Sequence, residues 1–301
     1  MRPSSTSSSE SGGPSSLRRG EAGRLSSVLP WAALAAVLIV LAIDRRVMTA
    51  PGFGREVGAL AQVVVLGSGR VERAFLSAEL NTVLAGQAEV MLRAHGGRGF
   101  DDVAALGDRL GDEAVDVVIL GLSEFETHRP LAGTAAGAAW AEKQPVLKLA
   151  GGRTESDLEA LITRVGMTFP DLPEATRRDE LIQLLSLSRG DHVSSREDQL
   201  RAAVEQLTEA GASVIVVELP LHPLSRQYDD ATLREEALSF FAELAMDYDV
   251  TVVTEEMSGP FAKSDFASLT RVTDAGATKL SHSAARAVLE VLQARRAAAE
   301  R

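Results

Sequence analysis

Ser68 stands between Gly67 and Gly69, directly after the apolar run Val63-Val64-Val65-Leu66. A serine at a strand-to-helix turn is exposed above the sheet near a helix N-terminus, where it can serve as a nucleophile. The same turn can be purely structural, because glycine takes positive φ at no steric cost. A serine hydroxyl attacks at neutral pH only with a base to take its proton, and that base must lie within hydrogen-bond reach, oriented by a carboxylate. The chain has five histidines: His95, His128, His192, His222 and His282. His95, just before Gly96-Gly97, and His222 follow expected strands on the same edge as Ser68, and they are the candidate bases. The other reading makes each a solvated or capping loop residue. His128 follows Glu124 and Glu126, a carboxylate–histidine spacing that can bind a metal but is common by chance. No metal site and no cofactor are expected.

These residues need a sheet to position them. Short apolar runs bounded by turn signals alternate with helical patterns, which reads as α/β with a mainly parallel five-stranded sheet in a three-layer α/β/α sandwich. The strands are expected at Gln62–Leu66, Glu89–Leu92, Val115–Leu120, Ser213–Leu219 and Val250–Thr254. Several are rich in Val and Ile, as suits strands covered on both faces. Gly67, Gly96-Gly97 and Gly121 place glycine-bearing loops on the carboxyl edge, where open α/β folds bind ligands. Helices are expected over Asp101–Leu110, Ser195–Ala210, Asp230–Met246 and Lys279–Ala299. Residues 133–187 fit the alternation poorly and read as a helical insertion broken by Pro170 and Pro173.

Val65-Leu66-Gly67-Ser68-Gly69-Arg70 resembles the first block of SGNH (GDSL-type) hydrolases, where a strand runs into Gly-Asp-Ser or Gly-Ser-Ser. Asp274-Ala275-Gly276-Ala277 resembles the step into the last helix that follows their Asp-x-x-His pair. The similarity is nearest to the membrane-anchored, flavodoxin-like branch of D-alanyl-lipoteichoic acid and alginate O-acetyltransferase-related proteins, and it covers roughly residues 61–292. On this frame the nucleophile falls on Gly69, the Asp on Ser268 and the His on Arg271. Ser68 lies one place early. Ser123, after Val118-Ile119-Leu120-Gly121-Leu122, falls where many relatives carry an oxyanion-stabilising Asn. Val216 to Leu224 resembles a strand and loop of the same branch. Arginine stays protonated at neutral pH and cannot be the base, and glycine has no side-chain oxygen. All three triad positions are therefore degenerate.

Arg70 and Arg271 fall near the mouth of the implied cleft. Two guanidiniums there can hold a carboxylate or phosphate together with Ser68, Gly96 and Ser123, since bidentate recognition favours arginine. The other reading pairs them with acidic neighbours such as Glu72, Asp265 or Asp274.

Arg2, Arg18, Arg19 and Arg24 against Glu10 and Glu21 give the N-terminal tail +2, so a net −11 leaves −13 for the rest. An acidic body argues against nucleic acid as a partner. The chain contains no cysteine, which excludes disulfides, thiolate zinc sites and cysteine nucleophiles. Residues 1–27 are a Ser/Gly-rich basic tail that is expected to be disordered. Val28–Ile43 carries no charge and is closed by Asp44-Arg45-Arg46. With Leu25 to Ser27 the uncharged stretch is about 19 residues, near the length that spans a bilayer. It is expected to be one transmembrane anchor with the C-terminal domain outside the cytoplasm. The alternative is a signal peptide cleaved after Ala50. Residues 44–60 then form a linker, and 61–296 the SGNH-like domain.

The expectation is a membrane-anchored, catalytically inactive SGNH-like protein that binds or scaffolds in cell-envelope modification. Its implied partner is an envelope acyltransferase or glycan-export complex, a setting that the resemblance alone supplies. The alternative is an active esterase or O-acyltransferase with Ser68 as nucleophile and His95 or His222 as base. A third reading is a purely structural protein with a filled cleft.

Overall fold

The computed structural model describes residues 60–94, 115–128, 155–187, 191–228 and 231–301. The expected anchor at Val28–Ile43, the helix at Asp101–Leu110, and His95 and Gly96 lie outside these residues. Among the described residues no helix is long and apolar enough to cross a membrane.

In chain order the elements are β1 (Ala61–Gly67), α1 (Val71–Ala74), α2 (Ser77–Leu84), β2 (Ala88–Ala94), β3 (Val117–Leu122) and α3 (Glu124–His128). They continue with α4 (Glu155–Thr168), α5 (Glu174–Leu185), α6 (Asp191–Glu209), β4 (Ser213–Glu218), α7 (Ala231–Tyr248), β5 (Thr251–Val253) and α8 (Asp274–Ala299). The strands pair in the order β2-β1-β3-β4-β5, and all four pairings are parallel. This is the flavodoxin-type order, whose switch point lies between the first and third strands.

The alternation of side chains along each strand builds two cores. Val63, Val65, Val117, Ile119, Ile215 and Val217 face one side, in a cluster with Leu80 of α2, Leu181 of α5 and Leu280 of α8. Val64, Leu66, Val118, Leu120, Val214 and Val216 face the other, with Leu200 and Val204 of α6 and Phe240 and Leu244 of α7. Central strands that are apolar on both faces are what a parallel sheet with helices on both faces requires.

At the β1–β3 switch point, Val71 at the start of α1 lies directly over both strand ends. A Cβ on Gly67 would come within 2.3 Å of Val71 Cγ2, and one on Gly121 within 2.5 Å of the same atom. Gly67 also has φ of +152°. The two glycines therefore let α1 drop onto the sheet edge, which sets the positions of Ser68 and Arg70. At the other end of the chain, α8 starts five residues before the expected Lys279. Thr273 caps it by accepting a hydrogen bond from Gly276 N. The expected insertion contains the hairpin α4–α5, whose helices are separated by Phe169–Pro173, where both prolines fall.

Candidate functional site

The carboxyl edge at the switch point holds a closed hydrogen-bond network. The Ser68 hydroxyl donates to Glu126 Oε1 at 2.8 Å. Ser123 N–H and Ser123 Oγ–H both donate to Glu126 Oε2, at 2.8 and 2.6 Å. Ser123-Glu124-Phe125-Glu126 carries the Ser-x-x-Glu signature of a capping box, in which the serine and the carboxylate three residues on satisfy backbone donors that open a helix. Phe125 N–H completes it by donating to Ser123 Oγ at 3.2 Å. Ser123 thus precedes and caps α3, and its capping partner Glu126 also binds Ser68.

Arg70 closes the network from above. Its Nη1 donates to Ser123 Oγ at 2.5 Å, its Nε to Thr270 O at 3.2 Å and its Nη2 to Pro220 O at 3.4 Å. Nη1 is also 3.7 Å from Glu126 Oε2, with side-chain exposures of 15% and 5%. The guanidinium lies 4.9 Å from the centre of the Phe125 ring. Arg70 therefore ties together the ends of β1, β3 and β4 and the closing loop. Above it remains a depression of about 10 Å³ lined by Arg70, Ala74, Leu219, Pro220, Thr270 and Val272. That is room for about one water.

The closing loop carries the second half of the site. Ser268, fully buried, donates through Oγ to Glu180 Oε1 at 2.7 Å, and Leu269 N–H donates to Glu180 Oε2 at 3.2 Å. Arg271 Nε lies 3.5 Å from Glu180 Oε1, and its side chain is 46% exposed. Glu180 of α5 thus meets a hydroxyl, a backbone N–H and a guanidinium of the closing loop. The guanidinium of Arg271 stays protonated at neutral pH and cannot take a proton from Ser268.

Arg70 and Arg271 accordingly pair with Glu126 and Glu180, not with Glu72, Asp265 or Asp274. Asp265 instead pairs with Lys279 at 2.6 Å. Gly69 lies in the turn between β1 and α1.

His222 lies beneath the surface, 1% exposed. Its Nδ1 accepts from Leu224 N–H at 3.0 Å, so Nε2 carries the proton, and Nε2 is buried without a hydrogen-bond partner. The ring packs edge-on against Phe169 and Phe266, with centroid distances of 5.0 and 5.3 Å. Burial pushes its pKa down, and the charge of Lys263 adds to this. The acceptor for the Ser68 hydroxyl is Glu126, not this imidazole. His128 is fully buried on α3, with Nδ1 2.7 Å from Thr127 Oγ1 and Nε2 3.2 Å from Glu236 Oε2. No cluster of three metal-ligating side chains occurs among the described residues. His282 on α8 pairs with Glu79 on α2 at 3.0 Å.

A second charged network spans the ends of β3, β4 and β5. Arg234 grips Glu218 with two bonds of 2.7 and 3.1 Å and reaches Glu256 at 2.7 Å. Arg226 bonds Glu124 and lies 3.4 Å from Glu255. Burial raises the pKa of Glu255, and Glu218 and Glu256 push the same way against the two arginines. A charge such as Glu218 inside the apolar run Val214–Leu219 marks a buried cationic partner. The Ser-x-x-Glu signature at 123–126 marks Glu126 as a capping partner. Nothing local marks Glu180.

No protein-family model matches the chain, and no curated protein matches it. Among solved structures it is similar to an inhibitor-bound aryl esterase of M. smegmatis, with 15% identity over 77% of this chain and 100% of that chain. The TM-score is 0.42.

Proposed function

We propose that this chain is a catalytically silent SGNH-like protein, anchored in a membrane by residues 28–43, that acts as a scaffolding component in cell-envelope modification. The observation that carries the silent half is the Glu180–Arg271 pair standing where the resemblance calls for an Asp and a His. Ser68, Ser123 and Arg70 support it, because each is engaged in a network that joins strand ends. The membrane setting and the envelope partner rest on the uncharged N-terminal run and on the motif resemblance.

The test is hydrolysis of an acetyl ester by the full-length chain and its Ser68→Ala variant, with fluorophosphonate labelling of both. The expected result is no turnover above buffer and no label in either. Turnover and labelling that both vanish in Ser68→Ala would overturn the reading.

One contact favours the active alternative, an ester hydrolase or O-acyltransferase using Ser68: its hydroxyl already donates to a carboxylate at 2.8 Å. For Glu126 to take that proton, however, it would have to become neutral while still holding Ser123 N–H, Ser123 Oγ–H and Arg70. The contact is better explained as structural.

A further inference from the structure

The two edges of the sheet are built differently. β5 closes one side with three residues, Thr251–Val253, and offers little length to a second chain. β2, at the other end of the strand order, has seven residues, Ala88-Glu89-Val90-Met91-Leu92-Arg93-Ala94. It runs beside β1 in unbroken one-to-one register from Ala61↔Ala88 to Gly67↔Ala94, with no bulge and no proline. Among the described residues β1 is its only ladder partner. A straight edge strand of this length presents a row of outward N–H and C=O groups, a template for pairing unless a bulge, a proline or a charge blunts it.

The two charges of β2 oppose most pairings, but they suit a second copy of the same strand. A two-fold axis normal to the sheet pairs β2 antiparallel with itself and makes one residue its own partner. With Met91 on that axis, Glu89 of each copy stands opposite Arg93 of the other, and Val90 opposite Leu92. Directly opposed residues share a face of the sheet. Val90 and Leu92 pack at the margin of one apolar core and Met91 at the margin of the other, so this pairing extends both cores across the junction. The other centres are worse. A centre on Glu89 or Arg93 sets like charges against each other, which destabilises a pair. A centre on Val90 sets Arg93 opposite Gln87, and one on Leu92 sets Arg93 opposite Met91. Glu89 is exposed and accepts from Gln62 Nε2 through Oε2 at 3.0 Å, so its Oε1 is the oxygen that meets the arginine.

We propose that the chain pairs with a second copy of itself through β2, antiparallel and centred on Met91, joining two five-stranded sheets into one. Backbone bonds along the strand supply the attachment, and the Glu89–Arg93 pairs, made twice by the symmetry, fix the register and select the same strand as partner. The surface shares no residue with the Ser68–Glu126 network, so it stands whether or not that network is silent.

The test is made on the full-length chain in detergent. Sedimentation of the unmodified protein should give the mass of two copies. Because the chain has no cysteine, Met91→Cys places one thiol per copy, and on the axis the two thiols face each other. Opposed Cα atoms of antiparallel strands are about 4.5 or 5.5 Å apart, and both separations suit a disulfide. Under mild oxidation Met91→Cys should link into a dimer at least about 10-fold faster than Met246→Cys, although Met246 on α7 is 77% exposed. Glu89→Arg or Arg93→Glu alone sets like charges opposite at both pairs and should weaken the dimer by about 10-fold. The two substitutions together should restore it, which a misfolded single variant would not allow. A chain that sediments as one copy would overturn the proposal, whether the Met91→Cys thiol reacts freely with a maleimide or is shielded by other residues of its own chain. So would Met91→Cys that links no faster than Met246→Cys. Single charge variants that pair as tightly as the unmodified chain, or a double variant that fails to recover, would overturn the register.

Discussion

The Ser68 hydroxyl and the Glu126 carboxylate meet at 2.8 Å across the β1–β3 switch point. The carboxylate is the hub of this contact and the serine is one spoke. Glu126 also holds Ser123 N–H, Ser123 Oγ–H and faces Arg70. Ser68→Ala removes one bond from a half-buried hydroxyl and should cost about 1 kcal/mol. Glu126→Ala orphans buried donors and a guanidinium, and should cost about 3 kcal/mol or more. Urea unfolding midpoints of the two variants measure the difference. Equal losses would mean that the carboxylate is not the hub.

His222 gives the protein a stability that depends on pH. Its folded pKa is lowered from the ordinary 6.5, mainly by burial. A group with a depressed folded pKa binds fewer protons in the folded state, so its contribution is complete above the unfolded pKa and is lost as pH falls through the folded one. Unfolding free energy should therefore drop on going from pH 7.5 to pH 5. His222→Asn keeps an acceptor for Leu224 N–H, in the manner of an Asx turn, and cannot titrate. It should be less stable at pH 7.5, because it leaves Phe169 and Phe266 partly unpacked, but its stability should fall less on acidification. Parallel pH profiles for the two proteins would remove His222 from the account.

All five strands lie within about two residues of where apolar runs and turn residues place them in the sequence, because a doubly covered parallel strand writes itself as consecutive Val, Ile and Leu. Helix starts were less legible. α6 begins at Asp191, ahead of the Ser-Arg-Glu-Asp start at Ser195, and α8 begins at the Thr273 cap. The site was legible only where its signals are local. Ser68, Arg70, Ser123, Ser268 and Arg271 were all singled out, but their acceptors were not. Glu126 was weighed as a metal ligand when its Ser-x-x-Glu spacing made it a capping partner. Glu180 is 88 positions from Ser268 and lies on a helix whose sequence gives no sign of facing a buried serine. Whether His222 faced Ser68 or the core depended on how the loop after β4 packs against Phe169 and Phe266, which only the tertiary structure settles.

The network at the ends of β4 and β5 should behave as a buried ion pair. Glu218 is 1% exposed and is gripped at both oxygens by Arg234, with Glu255 N–H donating to Oε2 at 2.7 Å. Arg234→Met should cost about 3–5 kcal/mol, since it leaves a carboxylate buried with its cation gone. Adding Glu218→Gln removes that stranded charge while keeping an acceptor for Glu255 N–H, so the double variant should recover part of the loss. The check is a double-mutant cycle in urea. Strict additivity would show that Glu218 is solvated in a way its burial does not allow.

The closing loop makes the sharpest prediction, because it sets the resemblance against the structure. If Ser268 were a position merely vacated by a catalytic Asp, Ser268→Asp would be tolerated. The structure says otherwise, since Ser268 Oγ lies 2.7 Å from Glu180 Oε1 in a fully buried setting. An aspartate there would bring two carboxylates to about the separation at which both cannot stay ionised. It would also withdraw the hydroxyl donor, leaving Arg271, at 3.5 Å from Glu180, to serve two anions. Ser268→Asp should cost about 3 kcal/mol or more, or else take up a proton on folding and become less stable as pH rises from 5 to 8. Glu180→Gln in the same chain should relieve most of that loss, because one carboxylate then faces Arg271 alone. Calorimetric melting of Ser268→Asp, Glu180→Gln and the double variant at both pH values is the measurement. A Ser268→Asp protein as stable as the unmodified chain would show that Glu180 and Ser268 do not share a buried setting.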